Sequence, residues 1–148
     1  MRDEAEVLFA NDAFYNAFIS RDIVALEILW ASNAEVVCIH PGWPPLYGRE
    51  AVMRSWTDIL SSPNSPKIVC KDAKTHFLTD NICYVTCFEL IGGGATVATN
   101  MFLKEGDSWK MVHHHASPTS ALPSENDDED PVLQCCLLYT SPSPRDRG

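Results

Sequence analysis

The chain has 148 residues, 45% hydrophobic and 21% charged, a balance that excludes bulk disorder and fits one globular domain. Its net charge of −9 is uneven: residues 1–123 hold nine Lys/Arg against fourteen Asp/Glu, and residues 124–148 hold two against six. Neither part offers the basic surface that nucleic acid requires, and no apolar run nears the ~20 residues that span a bilayer, so neither partner is expected. Met1-Arg2-Asp3-Glu4-Ala5-Glu6 is too acidic and polar for a secretory signal, which points to the cytoplasm.

In chain order, Val7, Asn11, Phe14 and Phe18 form one helical stripe over residues 5–20. Ser20-Arg21-Asp22 interrupts it, and Asp22 suits the N-cap of a second helix whose buried side is Ile23, Leu26, Leu29 and Trp30. Residues 35–40 read as a strand ending in His40, and Pro41-Gly42-Trp43-Pro44-Pro45 cannot be regular structure because its prolines remove donors. A short extended piece, 46–48, leads to a third helix from Arg49 with Val52, Trp56 and Ile59 or Leu60 inward. Four strand-like runs follow, 68–78, 82–91, 95–103 and 108–116, separated by Thr79-Asp80-Asn81, Gly92-Gly93-Gly94 and Lys104-Glu105-Gly106-Asp107. Helices followed by an antiparallel meander predict an α+β fold.

Residues 1–120 are expected to be the folded domain, and 121–135 an acidic disordered tail. Residues 136–148, which include Thr140-Ser141-Pro142-Ser143-Pro144-Arg145-Asp146, resemble a translated sequencing adapter and carry no functional expectation. Cys38, Cys70, Cys83 and Cys87 sit in apolar runs without CxxC spacing, the pattern of free buried thiols.

The chemistry concentrates in imidazole. His113, His114 and His115 end the strand-like run Trp109-Lys110-Met111-Val112, and His40 ends an earlier strand. Imidazole exchanges protons near neutral pH, so a cluster at strand ends beside Trp43 and Trp109 points to an enclosed small-molecule site. Strict alternation puts His113 and His115 on one face with Trp109 and Met111, and these two are the expected pocket histidines. His113, His115 and His40 can also be drawn as a zinc set, but no carboxylate of suitable spacing completes it except Glu89, and no metal or cofactor is expected. Glu89, between Phe88 and Leu90, is either a buried acid with a raised pKa or an edge residue facing water. Asn100, inside the apolar run 97–103, either orients a ligand carbonyl or bonds neighbouring backbone.

Several strings together resemble the SnoaL-like branch of the NTF2-like (nuclear transport factor 2-like) superfamily. They are Phe14-Tyr15-Asn16-Ala17-Phe18 with Arg21-Asp22, Cys38-Ile39-His40-Pro41-Gly42-Trp43-Pro44, Gly48-Arg49-Glu50-Ala51-Val52 with Ser55-Trp56, Ala98-Thr99-Asn100-Met101-Phe102, and Trp109 through His115. The resemblance implies a cone of strongly curved antiparallel or mixed sheet packed on three N-terminal helices. It also implies an apolar pocket and a homodimer formed through the sheet. The steroid-isomerase pattern of that superfamily places its tyrosine on Phe14, its base on His40 and its second oxyanion donor on Asn100, so it is incompletely filled, and Tyr15 is expected to point elsewhere. His40, Asn100, His113 and His115 are the expected catalytic groups. Phe14, Phe18, Trp30, Trp43, Trp56, Glu89 and Phe102 are the expected pocket lining. Two functions fit: cofactor-independent proton transfer on a small apolar substrate, of isomerase, cyclase or dehydratase type, or a non-catalytic dimeric binding or association domain.

Overall fold

The computed structural model describes residues 2–123, and the expectations for residues 124–148 lie outside the described residues. The first helix, α1 (Glu4–Ser20), starts where the Asp3 carboxylate accepts from the Glu6 N–H at 3.1 Å. It ends where Arg21 turns left-handed and Asp22 N–H reaches back to the Ala17 carbonyl. Asp22 then caps α2 (Ile23–Leu29) by accepting from Ala25 N–H at 3.1 Å, the role its position in the sequence predicts.

Strand β1 (Val37–Ile39) runs parallel to the last strand, and β2 (Leu46–Tyr47) pairs with it antiparallel. Gly48, at φ 87°, makes the turn into α3 (Arg49–Ser61), a conformation that side-chain-bearing residues rarely adopt. Thus two helices precede the first strands and the third follows them. Arg49 ties the two helical regions together. Its guanidinium donates to the carbonyls of Trp30 at 2.6 Å and Ala31 at 3.1 Å, and to that of Glu27, collecting acceptors that the end of α2 leaves open.

The meander β3 (Ile68–Thr79), β4 (Ile82–Ile91), β5 (Gly94–Glu105) and β6 (Ser108–Thr119) completes one six-stranded mixed sheet, ordered β2-β1-β6-β5-β4-β3. Helix α1 packs on β3, β4 and β6 and buries Val7, Phe14 and Phe18 against Val85, Phe102 and Met111 in a single core. No helix among the described residues is long and apolar enough to cross a membrane.

One irregularity decides the site. On β6, Met111 pairs with Phe102 and His113 with Met101, so Val112 has no partner and the strand carries a bulge. An extra residue reverses the alternation beyond it. Trp109 and Met111 face the core before the bulge, and His114 and Ala116 face it afterwards.

Candidate active site

The bulge corrects the expected parity of the histidine triplet. His114 is the inward residue, 3% exposed, while His113 and His115 lie on the opposite face with His115 exposed. The trio drawn for zinc is therefore split between the two faces. Among the described residues no group of three or more His, Cys, Asp or Glu is placed to hold a metal ion.

His114 meets His40, from the end of β1, in a cavity of about 270 Å³. Its walls are Phe14, Phe18, Trp43 and Trp56 with Ile59, Ile68 and Ile91, and its polar lining is Tyr15, Glu89 and the two imidazoles. Trp56 stands edge-on to His40 and Phe14, with centroids 4.6 and 5.4 Å away, and Trp43 packs edge-on to His40 at 4.8 Å. Two expected lining residues are corrected: Trp30 and Phe102 are fully buried core residues that do not reach this cavity. Tyr15, expected to point away, is 3% exposed and faces inward, because α1 buries a face wide enough to include positions 10, 11, 14, 15, 17 and 18.

A continuous polar chain links the polar lining residues through the layer behind them. Thr96 Oγ1 donates to Glu89 Oε1 at 2.7 Å, and Tyr15 OH donates to Glu89 Oε2 at 2.6 Å. The tyrosine oxygen accepts from Asn100 Nδ2 at 3.1 Å, and the same amide donates to Asn11 Oδ1 at 2.9 Å. Asn100 Oδ1 accepts from His114 Nδ1 at 2.5 Å. Both ends of Asn100 are thus consumed by protein, and it does not line the cavity; it positions His114 rather than meeting a ligand. An Nδ1–H tautomer leaves His114 Nε2 as an acceptor.

His40 is oriented independently. Ser55 Oγ gives its proton to the Val52 carbonyl at 2.7 Å, so it accepts from His40 Nε2–H at 2.9 Å, and His40 Nδ1 carries the lone pair. Burial, helped by the neighbouring His114, lowers the His40 pKa to about 4, and burial lowers that of His114 to about 3. Both rings are neutral bases at physiological pH. Burial pushes Glu89 the other way, above its ordinary value, against the hydrogen bonds from Tyr15 and Thr96 and the nearby His40. Of the two readings of Glu89, the buried acid is the one found, at 3% exposure. Tyr15 is raised well above its ordinary pKa, chiefly by burial and then by Glu89, and keeps its proton.

A SnoaL-like domain family matches residues 7–121. A candidate dehydratase of the NTF2-like family from Streptomyces avermitilis is 32% identical, with 79% of this chain matching 96% of that one at a TM-score of 0.71. A candidate calcium/calmodulin-dependent protein kinase type II association domain from Thiobacillus denitrificans is 35% identical, with 75% of this chain matching 93% of that one at a TM-score of 0.63. The F-box protein SKIP8 of Arabidopsis thaliana is 28% identical over 113 residues, 75% of this chain, and the chain spans 48% of that relative's length. With its matched region covering most of its length, the chain belongs to the SnoaL-like domain family.

Proposed function

We propose that the cavity binds a small apolar molecule bearing a carbonyl or hydroxyl group and moves a proton on it without a cofactor, in the manner of an isomerase, cyclase or dehydratase. The observation that carries this reading is the pairing of two neutral imidazoles with a carboxyl of raised pKa around one aromatic-walled space. Groups pushed apart in acidity by their surroundings are how a protein runs acid and base chemistry together. His40 takes the proton from carbon through its Nδ1, with Ser55 holding the ring. His114 accepts from a substrate hydroxyl through Nε2. Glu89, with Tyr15 beside it, returns a proton to the developing oxyanion or the departing hydroxyl. The likeness to a candidate dehydratase favours this class.

The test is deuterium uptake from heavy water at the carbon beside the carbonyl, followed by NMR over a panel of small aromatic and alicyclic ketones. A ketone exchanged by the protein should lose exchange by about 10²–10⁴-fold in His40→Ala. An undiminished rate in that variant overturns the assignment.

The second reading, a dimeric association domain, draws on the likeness to the candidate kinase association domain and on exposed Val69 and Val97 on the sheet. In this reading the chain pairs with a second copy through the sheet and works in the cytoplasm, a setting that suits the four free cysteines of the described residues. Sedimentation showing only monomer at micromolar concentration ends it.

A further inference from the structure

Two cysteines contact the polar chain from behind and take no part in the chemistry above. Cys70 on β3 pairs opposite Glu89 of β4, and Cys87 lies two residues before Glu89, on the same face of that strand. The ladder is irregular immediately beyond, between Lys71 and Lys74, where Asp72 is left-handed at φ 55°. Asn11 Nδ2 donates to the Cys70 sulfur at 3.6 Å, and Tyr15 OH, one turn further along α1, lies 3.2 Å from the Cys87 sulfur.

Exposure separates the two thiols. Cys70 is half-buried and lines a recess of about 270 Å³ beside Asp12, Asn16 and Ile19, whereas Cys38, Cys83 and Cys87 are buried. Hydrogen bonds from Cys87 and then Asn11 hold Cys70 below its ordinary pKa, against burial and the Asp12 and Glu89 charges. Cys87 is held up by its bond to Cys70 and by burial, and Cys38 by burial. A stabilised, reachable sulfur with a protonated, enclosed one on the same face of the neighbouring strand is the arrangement of an attacking thiol and its resolving partner.

We propose that Cys70 and Cys87 are a peroxide-sensitive thiol pair that closes to a disulfide. The Cys70 thiolate attacks an oxygen of a hydroperoxide and the O–O bond breaks. The leaving alkoxide takes the proton that Cys70 gave up and departs as an alcohol, and Cys70 is left as a sulfenic acid. The Cys87 sulfur then attacks the Cys70 sulfur, the S–S bond forms, the S–O bond breaks, and hydroxide leaves with the Cys87 proton as water. The pair loses two electrons and the hydroperoxide gains them. Because Cys87 Sγ lies 3.2 Å from Tyr15 OH and 4.0 Å from Asn100 Nδ2, closure withdraws a thiol from the hydroxyl that holds Glu89. The oxidation state is thereby read into the cavity wall.

The experiment takes the full chain, reduced, exposes it to stoichiometric hydrogen peroxide, alkylates it and digests it without reductant for peptide mass mapping. The expected product is one cross-linked peptide pair joining Cys70 to Cys87, two hydrogens lighter than its parts. Before oxidation, iodoacetamide should modify Cys70 about tenfold faster than Cys38 or Cys83. In Cys87→Ser the sulfenic acid on Cys70 should persist and be trapped by dimedone. Alkylation of Cys70 no faster than Cys38, a cross-link from Cys70 to Cys135 or Cys136 instead, or a dimedone adduct persisting on Cys70 in the unsubstituted chain overturns the pair.

Discussion

His114 and His115 are the same amino acid at consecutive positions, and they have almost nothing else in common. His114 is sealed against Phe14 and Trp56, its Nδ1–H committed to Asn100, its pKa lowered to about 3 by burial. His115 is exposed on the far face, 6.3 Å from the ring of His113, beside Asp72 and Lys74 in a shallow depression of the sheet. The difference teaches that an imidazole acquires its role from the side of the sheet it occupies. That side was chosen by one unpaired residue, Val112.

The sharpest way to break the contrast is to cut the anchor of the inner ring. Asn100→Leu strands the His114 Nδ1–H, the Asn11 carbonyl oxygen and a Tyr15 contact in an enclosed place, and each unsatisfied group costs about 1–3 kcal/mol. Urea unfolding should report a loss on the order of 3 kcal/mol or more.

Acid should separate the two faces next. An inner imidazole that protonates at about 3 or 4 when folded, but at 6.5 when unfolded, leaves stability intact above pH 6.5 and removes it as the pH falls toward the folded value. Between pH 7 and pH 5 the fall amounts to about 2 kcal/mol for each of His40 and His114. Glu89, raised by burial, opposes this, since its contribution is complete below 4.5 and fades as the pH rises through its folded value. Urea midpoints at the two pH values should show the slope, and His114→Asn should flatten it.

A smaller effect is expected from deleting Val112. Removing the unpaired residue makes the β5–β6 ladder continuous while keeping Trp109, Met111, His114 and Ala116 on the inner face. Unfolding should remain cooperative, with a cost of about 1 kcal/mol and an unchanged urea slope. The smallest belongs to His115→Ala, which should stay within about 0.5 kcal/mol of the parent chain.

Most of the element order was legible because local signals are strong where a cap or turn residue is dictated by backbone chemistry. Asp22 caps α2 as its spacing predicts, and β4 spans 82–91 with the glycine turn where it was expected. His40 was legible too, since a polar residue closing an apolar strand before three prolines has few other places to go. The triplet was misread for a physical reason: alternation counts residues, and a bulge adds one that composition does not mark. Tyr15 was missed because Val7, Asn11, Phe14 and Phe18 define a stripe narrower than the face that α1 buries. The available signal was Asn11 itself, an amide on an apolar stripe that had to find partners, and it found Asn100 and Cys70.

Arg49 has a consequence for the wall of the cavity. One guanidinium grips the last carbonyls of α2 from the first turn of α3, so the backbone excursion between them is pinned where it leaves and where it returns. Within that excursion β1 and β2 are themselves laced together, and the proline-rich crossing between them holds Trp43 against His40, with Trp43 N–H bonded to the His40 carbonyl at 2.9 Å. The wall that carries Trp43 is therefore moored at both ends by one side chain that stands outside the cavity.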